Sequence, residues 1–416
     1  MSMNELTFDS RPIGLDTSRF PLRARWALRL LARIEHGTLD VHFPDGQHAS
    51  FGSGSPHAAI RLANWNVFGA VLDSGDIGFA ERYIAGDWTS PALVDLIALF
   101  ARNRASVEGF VYGSFWGRLA YRLRHLRNRN TRANARRNIH AHYDLGNDFY
   151  ALWLDPSMTY SSALFAPGAS DGAAAHAPAS DAELQAAQNA KYARVLDELA
   201  LARGARVLEI GCGWGGFAET AARAGVLVTG LTLSPAQLAY ARERLKRQTL
   251  TADLRLQDYR DEHGAYDGIA SIEMFEAVGE RYWPSYFATL RRCLKPGARA
   301  CVQTIVIADH LFDRYRAGTD FIQQYVFPGG MLPSAQAFRA QARNAGLRVV
   351  TELAFGRDYT RTLATWRARF THRLDAVRAL GFDDRFIRLW EFYLSYCEAA
   401  FAEGSTDVIQ YTLEKA

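Results

Sequence analysis

The chain has 416 residues, 49% of them hydrophobic and 22% charged, and a formal net charge of +4. At about 100–200 residues per domain that length predicts two or three domains, and the composition excludes a disordered chain, a collagen-like repeat and a disulfide-stapled miniature. So small a net charge gives no whole-molecule argument for nucleic acid, and any electrostatic footprint is local.

Cys212, Cys293, Cys301 and Cys397 form no C-x-x-C pair, and no His cluster has metal spacing. Free thiols in a reducing compartment, and no metal site, are expected. The opening MSMNELTFDSRPIG lacks the basic and apolar regions of a secretory signal. No apolar run reaches the roughly 18–20 residues that span a bilayer. A cytoplasmic protein is the expectation.

Residues 1–117 read as a small α+β domain. In TLDVHFPDGQHASFG (38–52), Leu39, Val41 and Phe43 alternate and Asp45-Gly46 supplies a turn, which predicts a hairpin. Gly69, Gly75, Gly78 and Gly86 divide the stretch that follows into short pieces. SPALVDLIALFARN (90–103) predicts a helix with Ser90 as N-cap and Pro91 at the first helical position.

Residues 118–138 read as a basic helix or linker, with eight arginines and no acid between Arg118 and Arg137. A solvated helix is one reading. A surface for anionic phospholipid headgroups is the other, each basic residue contributing on the order of 1 kcal/mol. Nucleic acid is not expected, because no recognisable nucleic-acid module is present.

In residues 139–416 strands and helices alternate. The segment 166–181 (APGASDGAAAHAPASD) is too poor in large apolar groups to pack and reads as a mobile loop. Strands are predicted at 206–210, 226–233, 254–259, 266–273, 298–307, 348–355 and 407–413, with a helix at 235–248. The fold class is therefore α/β, a mostly parallel sheet with helices on both faces. Further helices are predicted at 360–374 and 384–401. The second places Phe386, Leu389, Trp390, Tyr393 and Leu394 on one face, expected to pack against the sheet.

VLEIGCGWGGFA (207–218) turns from a strand into a helix through Gly211, Gly213, Gly215 and Gly216. Such a bend lets backbone approach a ligand beyond the carboxyl ends of the strands. A dinucleotide enzyme needs an acid at the end of the second strand, where this chain has Thr232. The segment after the fourth strand, SIEMFEAVG (271–279), lacks the Pro-Pro turn usual in N-methyltransferases of nucleobases or glutamine.

Six segments in order, HYDLGNDFYALWLDPSMTYSSALF (142–165), VLEIGCGWGGFA, GLTLSPAQ (230–237), LQDYRD (256–261), MFEAVG (274–279) and QYVFPGGMLPS (324–334), resemble the cyclopropane fatty acid synthase family. GDIGFAERYIAGDW (75–88) is similar to the N-terminal lipid-binding domain of its longer bacterial members. The resemblance implies a class I methyltransferase fold with a seven-stranded sheet and S-adenosylmethionine as cofactor. It implies methyl transfer to a cis double bond of a phospholipid-bound acyl chain, then closure to a cyclopropane. Cofactor contacts carry over onto Tyr160, Ser161, Gly211, Gly213, Thr232, Gln237, Gln257, Asp258 and Tyr259. By residue type alone, Tyr160 and Tyr259 read equally as core aromatics and Gln237 as a solvated helix residue.

An alkene is a weak nucleophile, so close positioning against an electrophilic methyl supplies much of the acceleration. The resulting cation needs a dry site whose aromatic faces attract positive charge. Trp153, Tyr160, Phe165, Phe275, Tyr325 and Phe327 are candidates. The resemblance assigns proton removal to a bicarbonate ion held by a Cys, a Glu, a His, a Tyr and a backbone group. These fall on Ser162, Glu276, Gln303, Tyr359 and the backbone of Ile305, so the chain departs from the pattern at Ser162 and Gln303. Both side chains still donate hydrogen bonds, but the charge and proton-shuttling of an imidazole are gone. Glu276 taken alone also reads as an acid favoured at a helix N-terminus. A cyclopropane is the expected product. The alternatives are a methylene- or methyl-branched chain and a non-catalytic lipid-binding protein. Expected partners are anionic headgroups at the inner membrane face, bound peripherally; the resemblance also allows a homodimer, which no residue pattern establishes.

Overall fold

The computed structural model describes residues 15–107 and 145–415. The arginine stretch 118–138, and both boundaries expected beside it, lie outside the described residues. The chain divides into two compact units, Met1–Ala120 with Arg388–Ala399, and Tyr121–Ile387 with Ala400–Ala416.

In the first unit, α1 (Leu22–Leu31) precedes β1 (Gly37–His42), β2 (His48–Ser53), β3 (His57–Leu62), α2 (Asn66–Ala85), β4 (Trp88–Thr89) and α3 (Leu93–Arg102). The sheet order is β2-β1-β3-β4. The hairpin forms as expected, with Leu39 opposite Phe51 and Val41 opposite Ala49, all four buried on one face. The glycine-rich stretch breaks at two of its four glycines: α2 is two helical pieces meeting at a kink at Gly75 (φ 60°, ψ −132°) and ends at a left-handed Gly86, while Gly69 and Gly78 lie within helix.

Two expectations are corrected here. The helix α3 starts at Leu93 with Ala92 at its N-cap. Ser90 instead accepts a bond from the Ala92 N–H at 3.3 Å, a local turn that competes with capping. The second correction concerns the last helix. Phe392 lies beside Tyr83, Phe79 and Trp88 at 5.7, 6.3 and 6.4 Å, and the Tyr83 hydroxyl donates to Glu391 at 2.7 Å. Helical periodicity announces a buried face but not its partner: residues 388–399 group with the first unit, while Phe386 of the expected face lies 5.3 Å from Phe149 in the second.

The second unit holds β5 (Arg206–Ile210), β6 (Leu227–Thr232), β7 (Asp253–Leu256), β8 (Tyr266–Ile272), β9 (Leu294–Ile307), β10 (Leu347–Ala354) and β11 (Thr406–Lys415). Their order is β10-β11-β9-β8-β5-β6-β7. Pairings among β5 to β9 are parallel, while β11 runs antiparallel to both neighbours. Alternation divides the strands between two cores: Leu208, Ile210, Ala300 and Val302 face one, Val207 and Cys301 the other. The helices are α4 (Asn147–Ala151), α5 (Asp181–Leu199), α6 (Gly216–Arg223), α7 (Pro235–Arg247), α8 (Trp283–Cys293), α9 (Asp309–Ala317), α10 (Phe321–Tyr325), α11 (Ala335–Asn344), α12 (Gly356–His372), α13 (Leu374–Ala379) and the two ends of α14 (Asp384–Ala402).

The segment 166–181 packs, against expectation. It contains a short 3-10 helix, Gly172–His176. Arg361 of α12 donates to the carbonyls of Ala169 and Ala177 at 3.1 and 3.4 Å, and Thr365 accepts from the Ala179 N–H at 2.8 Å. Polar groups from another element supply what the segment's own composition lacks. Among the described residues, no helix is long and apolar enough to cross a membrane.

Candidate active site

A cleft opens at the carboxyl ends of the parallel strands. All nine residues expected to meet the cofactor line it: Tyr160, Ser161, Gly211, Gly213, Thr232, Gln237, Gln257, Asp258 and Tyr259. The bend after β5 is pinned to β6 by two N–H groups, those of Gly211 and Cys212, which donate to the Leu231 carbonyl at 3.0 and 2.8 Å. Gly211 has φ +86°, and a Cβ there would lie 2.8 Å from Met274 Cγ. Gly213 has φ +49° and would meet nothing within 4 Å, so this point of the bend leaves space for a ligand.

A neutral pair stands at the end of the second parallel strand, where the Thr232 hydroxyl donates to Gln237 Oε1 at 3.1 Å. Asp258 is paired with Arg260 at 2.5 Å, and that guanidinium lies over Tyr259 at 5.7 Å. Glu209, two residues before Gly211 in VLEIGCGWGGFA, also lines the cleft and is not among the expected cofactor contacts. Its Oε2 is buried without a hydrogen-bond partner. Burial pushes its pKa up to about 8, against the pull of Arg244.

One wall is aromatic. The Tyr160 ring lies 5.4 Å from each of Tyr150, Trp153 and Trp366. Four of the aromatic candidates lie elsewhere. Phe165 sits under the Arg361 guanidinium at 4.6 Å, Phe275 is core beside Trp283 at 5.5 Å, Tyr325 stacks on Phe321, and Phe327 does not line the cleft.

The residues expected to hold bicarbonate do come together, but around the chain's own acids. Ser162 N–H and Gln303 Nε2 donate to Glu273 Oε1 at 2.8 and 2.7 Å. The Tyr359 hydroxyl donates to Glu273 Oε2 at 2.7 Å. Ile305 N–H donates to Glu276 Oε1, whose Oε2 has no hydrogen-bond partner. The Ser162 hydroxyl, expected as a donor to the anion, bonds the Ala163 carbonyl at 3.0 Å instead. With these donors already given to two carboxylates, the site does not fit a bicarbonate ion. An added anion there would compete with Glu273 for the same three donors.

Glu273 was passed over in the sequence, although it lies in the same SIEMFEAVG segment as Glu276. It is held at φ +47°, a left-handed conformation that costs a non-glycine residue on the order of 1–3 kcal/mol. Enclosure raises its pKa, opposed by the nearby Lys191 ammonium and by its three donors. Lys191 is fully buried and donates to Ser161 Oγ at 2.5 Å and Gln188 Oε1 at 2.6 Å. Loss of water lowers its pKa, and the charge of Glu273 pulls it back. No sequence signal marks this lysine within α5. Glu276 is pushed up to about 8 by loss of water and then by Glu273.

Comparison with known proteins places these features in context. Residues 130–411 match the family model described as mycolic acid cyclopropane synthetase. Tuberculostearic acid methyltransferase UfaA1 of Mycobacterium tuberculosis is 42% identical, covering 97% of this chain and 95% of its own. Cyclopropane-fatty-acyl-phospholipid synthase of Escherichia coli K12 is 35% identical, covering 84% of this chain and 86% of its own. The crystal structure of mycolic acid cyclopropane synthase CmaA1 complexed with SAH and CTAB aligns at TM-score 0.61 and 29% identity, over 67% of this chain and 98% of that one.

Proposed function

The chain belongs to the mycolic acid cyclopropane synthetase family, and on that premise we propose that it adds the methyl of S-adenosylmethionine to a cis double bond of a phospholipid-bound acyl chain and closes a cyclopropane. It is an S-adenosylmethionine-dependent methyltransferase acting on lipid acyl chains. The finer reading rests on one observation: glycine bend, aromatic wall and hydrogen-bonded carboxylate meet in a single cleft.

The cleft residues fit the cofactor. Gly213 leaves room for it, and the unpartnered oxygen of Glu209 would accept a bond from its amino group. When bound, the cofactor supplies an electrophilic methyl. The chain's part is to align an alkene with that methyl, exclude water and stabilise positive charge with the faces of Tyr160 and its neighbours.

A second product reading is an exocyclic methylene, precursor of a methyl branch, formed when the hydride shift precedes proton loss. The name of the 42% identical relative, a tuberculostearic acid methyltransferase, favours it. Proton spectra of lipids from expressing cells decide: high-field ring protons support the cyclopropane, and a vinylic methylene signal without them overturns it.

We also propose that the enzyme docks peripherally on the inner membrane face. Leu22 and Trp26 are 77% and 58% exposed on successive turns of α1, with Arg29 exposed on the same stripe. An exposed tryptophan flanked by arginines suits an anionic headgroup layer.

A further inference from the structure

We infer that Glu273 is the base of this enzyme: its carboxylate stands where the external bicarbonate was expected and takes the proton from the transferred methyl group. The inference rests on the proposed reaction. In that step a C–H bond of the new methyl breaks, its electron pair forms the second carbon–carbon bond of the ring, and the proton goes to a carboxylate oxygen of Glu273. On the hydride-shift route the same pair forms the exocyclic double bond. Neither route needs a further reactant.

Four observations carry this. First, the donors from Ser162, Gln303 and Tyr359 converge on Glu273, so the chain itself fills the anion position. Second, Glu273 lines the cofactor cleft along with Ser161 and Gly211, which places the acid within the site where the methyl is delivered. Third, its left-handed backbone is strain of the kind that persists where surrounding structure over-determines a functional group; Met158, another residue of the cleft wall, is held at φ +52°.

Fourth, the donors are themselves oriented. Gln410 Nε2 donates to Gln303 Oε1 at 2.9 Å, and Arg194 donates to Gln410 Oε1 at 2.7 Å. This chain of bonds turns the NH2 end of Gln303 toward Glu273. Lys191, buried behind Ser161, balances the negative charge. Two adjacent carboxylates do not both ionise readily. Glu276 has one donor from Ile305 and an oxygen without a partner, whereas Glu273 has three donors and a cation. The charge therefore resides on Glu273, leaving it basic while Glu276 holds a proton.

The test measures methyl transfer into vesicles of cis-unsaturated phosphatidylglycerol, in carbonate-scrubbed buffer and in buffer with added bicarbonate. Wild-type turnover should differ by less than about twofold between the two. Glu273→Gly, which relieves the left-handed strain, should lose about 100-fold in kcat, the usual scale of a general base. Its affinity for S-adenosylmethionine should stay near the wild type. Added bicarbonate should restore part of that loss, because three vacated donors then face a small anion, while Glu273→Gln should gain nothing. A wild type that loses about tenfold without bicarbonate, or a Glu273→Gly variant that keeps wild-type turnover, would overturn the assignment. No transfer to the alkene by the wild type in either buffer overturns the proposed reaction, and this inference with it.

Discussion

The side-chain amide of Gln303 donates to Glu273 at 2.7 Å while its oxygen accepts from Gln410 at 2.9 Å. One strand-to-strand contact, between β9 and β11, thus decides which end of an amide meets a carboxylate in the cleft. A hydrogen bond to a charged group contributes about 1.5–3 kcal/mol. Gln303→Leu should accordingly reduce kcat by about one to two orders of magnitude. Gln410→Leu should give a smaller loss, and the double variant little more than Gln303→Leu alone. Additive losses in steady-state kinetics would show that the two amides do not act through one another.

Glu276 makes a pH prediction. Its pKa is pushed up to about 8, above the roughly 4.3 of an unfolded glutamate. The folded state therefore favours the protonated acid. That contribution is fully present below the unfolded value and is lost as pH rises through about 8. Glu276→Gln keeps an acceptor for Ile305 N–H and cannot ionise. Thermal melts should show the variant gaining on the wild type from pH 5 to pH 8, and a constant difference would remove Glu276 as the source. At neutral pH the variant should retain turnover within about tenfold, unlike a substituted base.

Gly213 separates binding from folding. A Cβ there meets no protein atom within 4 Å, so Gly213→Ala should fold, losing about 1–2 kcal/mol to its left-handed backbone. Its methyl points into the cleft, and calorimetry should find S-adenosylmethionine bound at least about tenfold more weakly, a loss of about 1.4 kcal/mol. Wild-type affinity would mean that the cofactor does not nest against this bend.

Membrane docking through α1 is checked by sedimentation with vesicles. Trp26→Ser should reduce binding to anionic vesicles severalfold and leave turnover on detergent-dispersed lipid unchanged. Raising salt from about 0.1 M to 1 M, which shortens the screening length from about 10 Å to 3 Å, should weaken the wild type too. Indifference to both would exclude this surface.

Much of this molecule was legible beforehand, and the reasons are local. Apolar strands separated by helices announce a sheet covered on both faces, and Gly211 and Gly213 announce a bend, which at Gly211 leaves no room for a side chain. The carboxylate centre was not legible. Glu273 reads as one more acid after a strand, because nothing in SIEMFEAVG reveals that Ser162, Gln303 and Tyr359 all point to it; those bonds join residues 86 to 111 positions apart and 30 apart. Lys191 is hidden for the same reason, since a lysine in an amphipathic helix normally faces water. The aromatic face of α14 was visible, but the contacts of its neighbour Phe392 with Phe79 and Trp88 are set by the tertiary fold.

Purified protein given S-adenosylmethionine labelled in its methyl group, with vesicles of cis-unsaturated phospholipid, tests the central claim most directly. Label recovered in the acyl chains, as a ring or a branch, is the predicted result. Label confined to nitrogen or oxygen of the headgroups, or absent from the lipid while the cofactor is bound, would contradict the account.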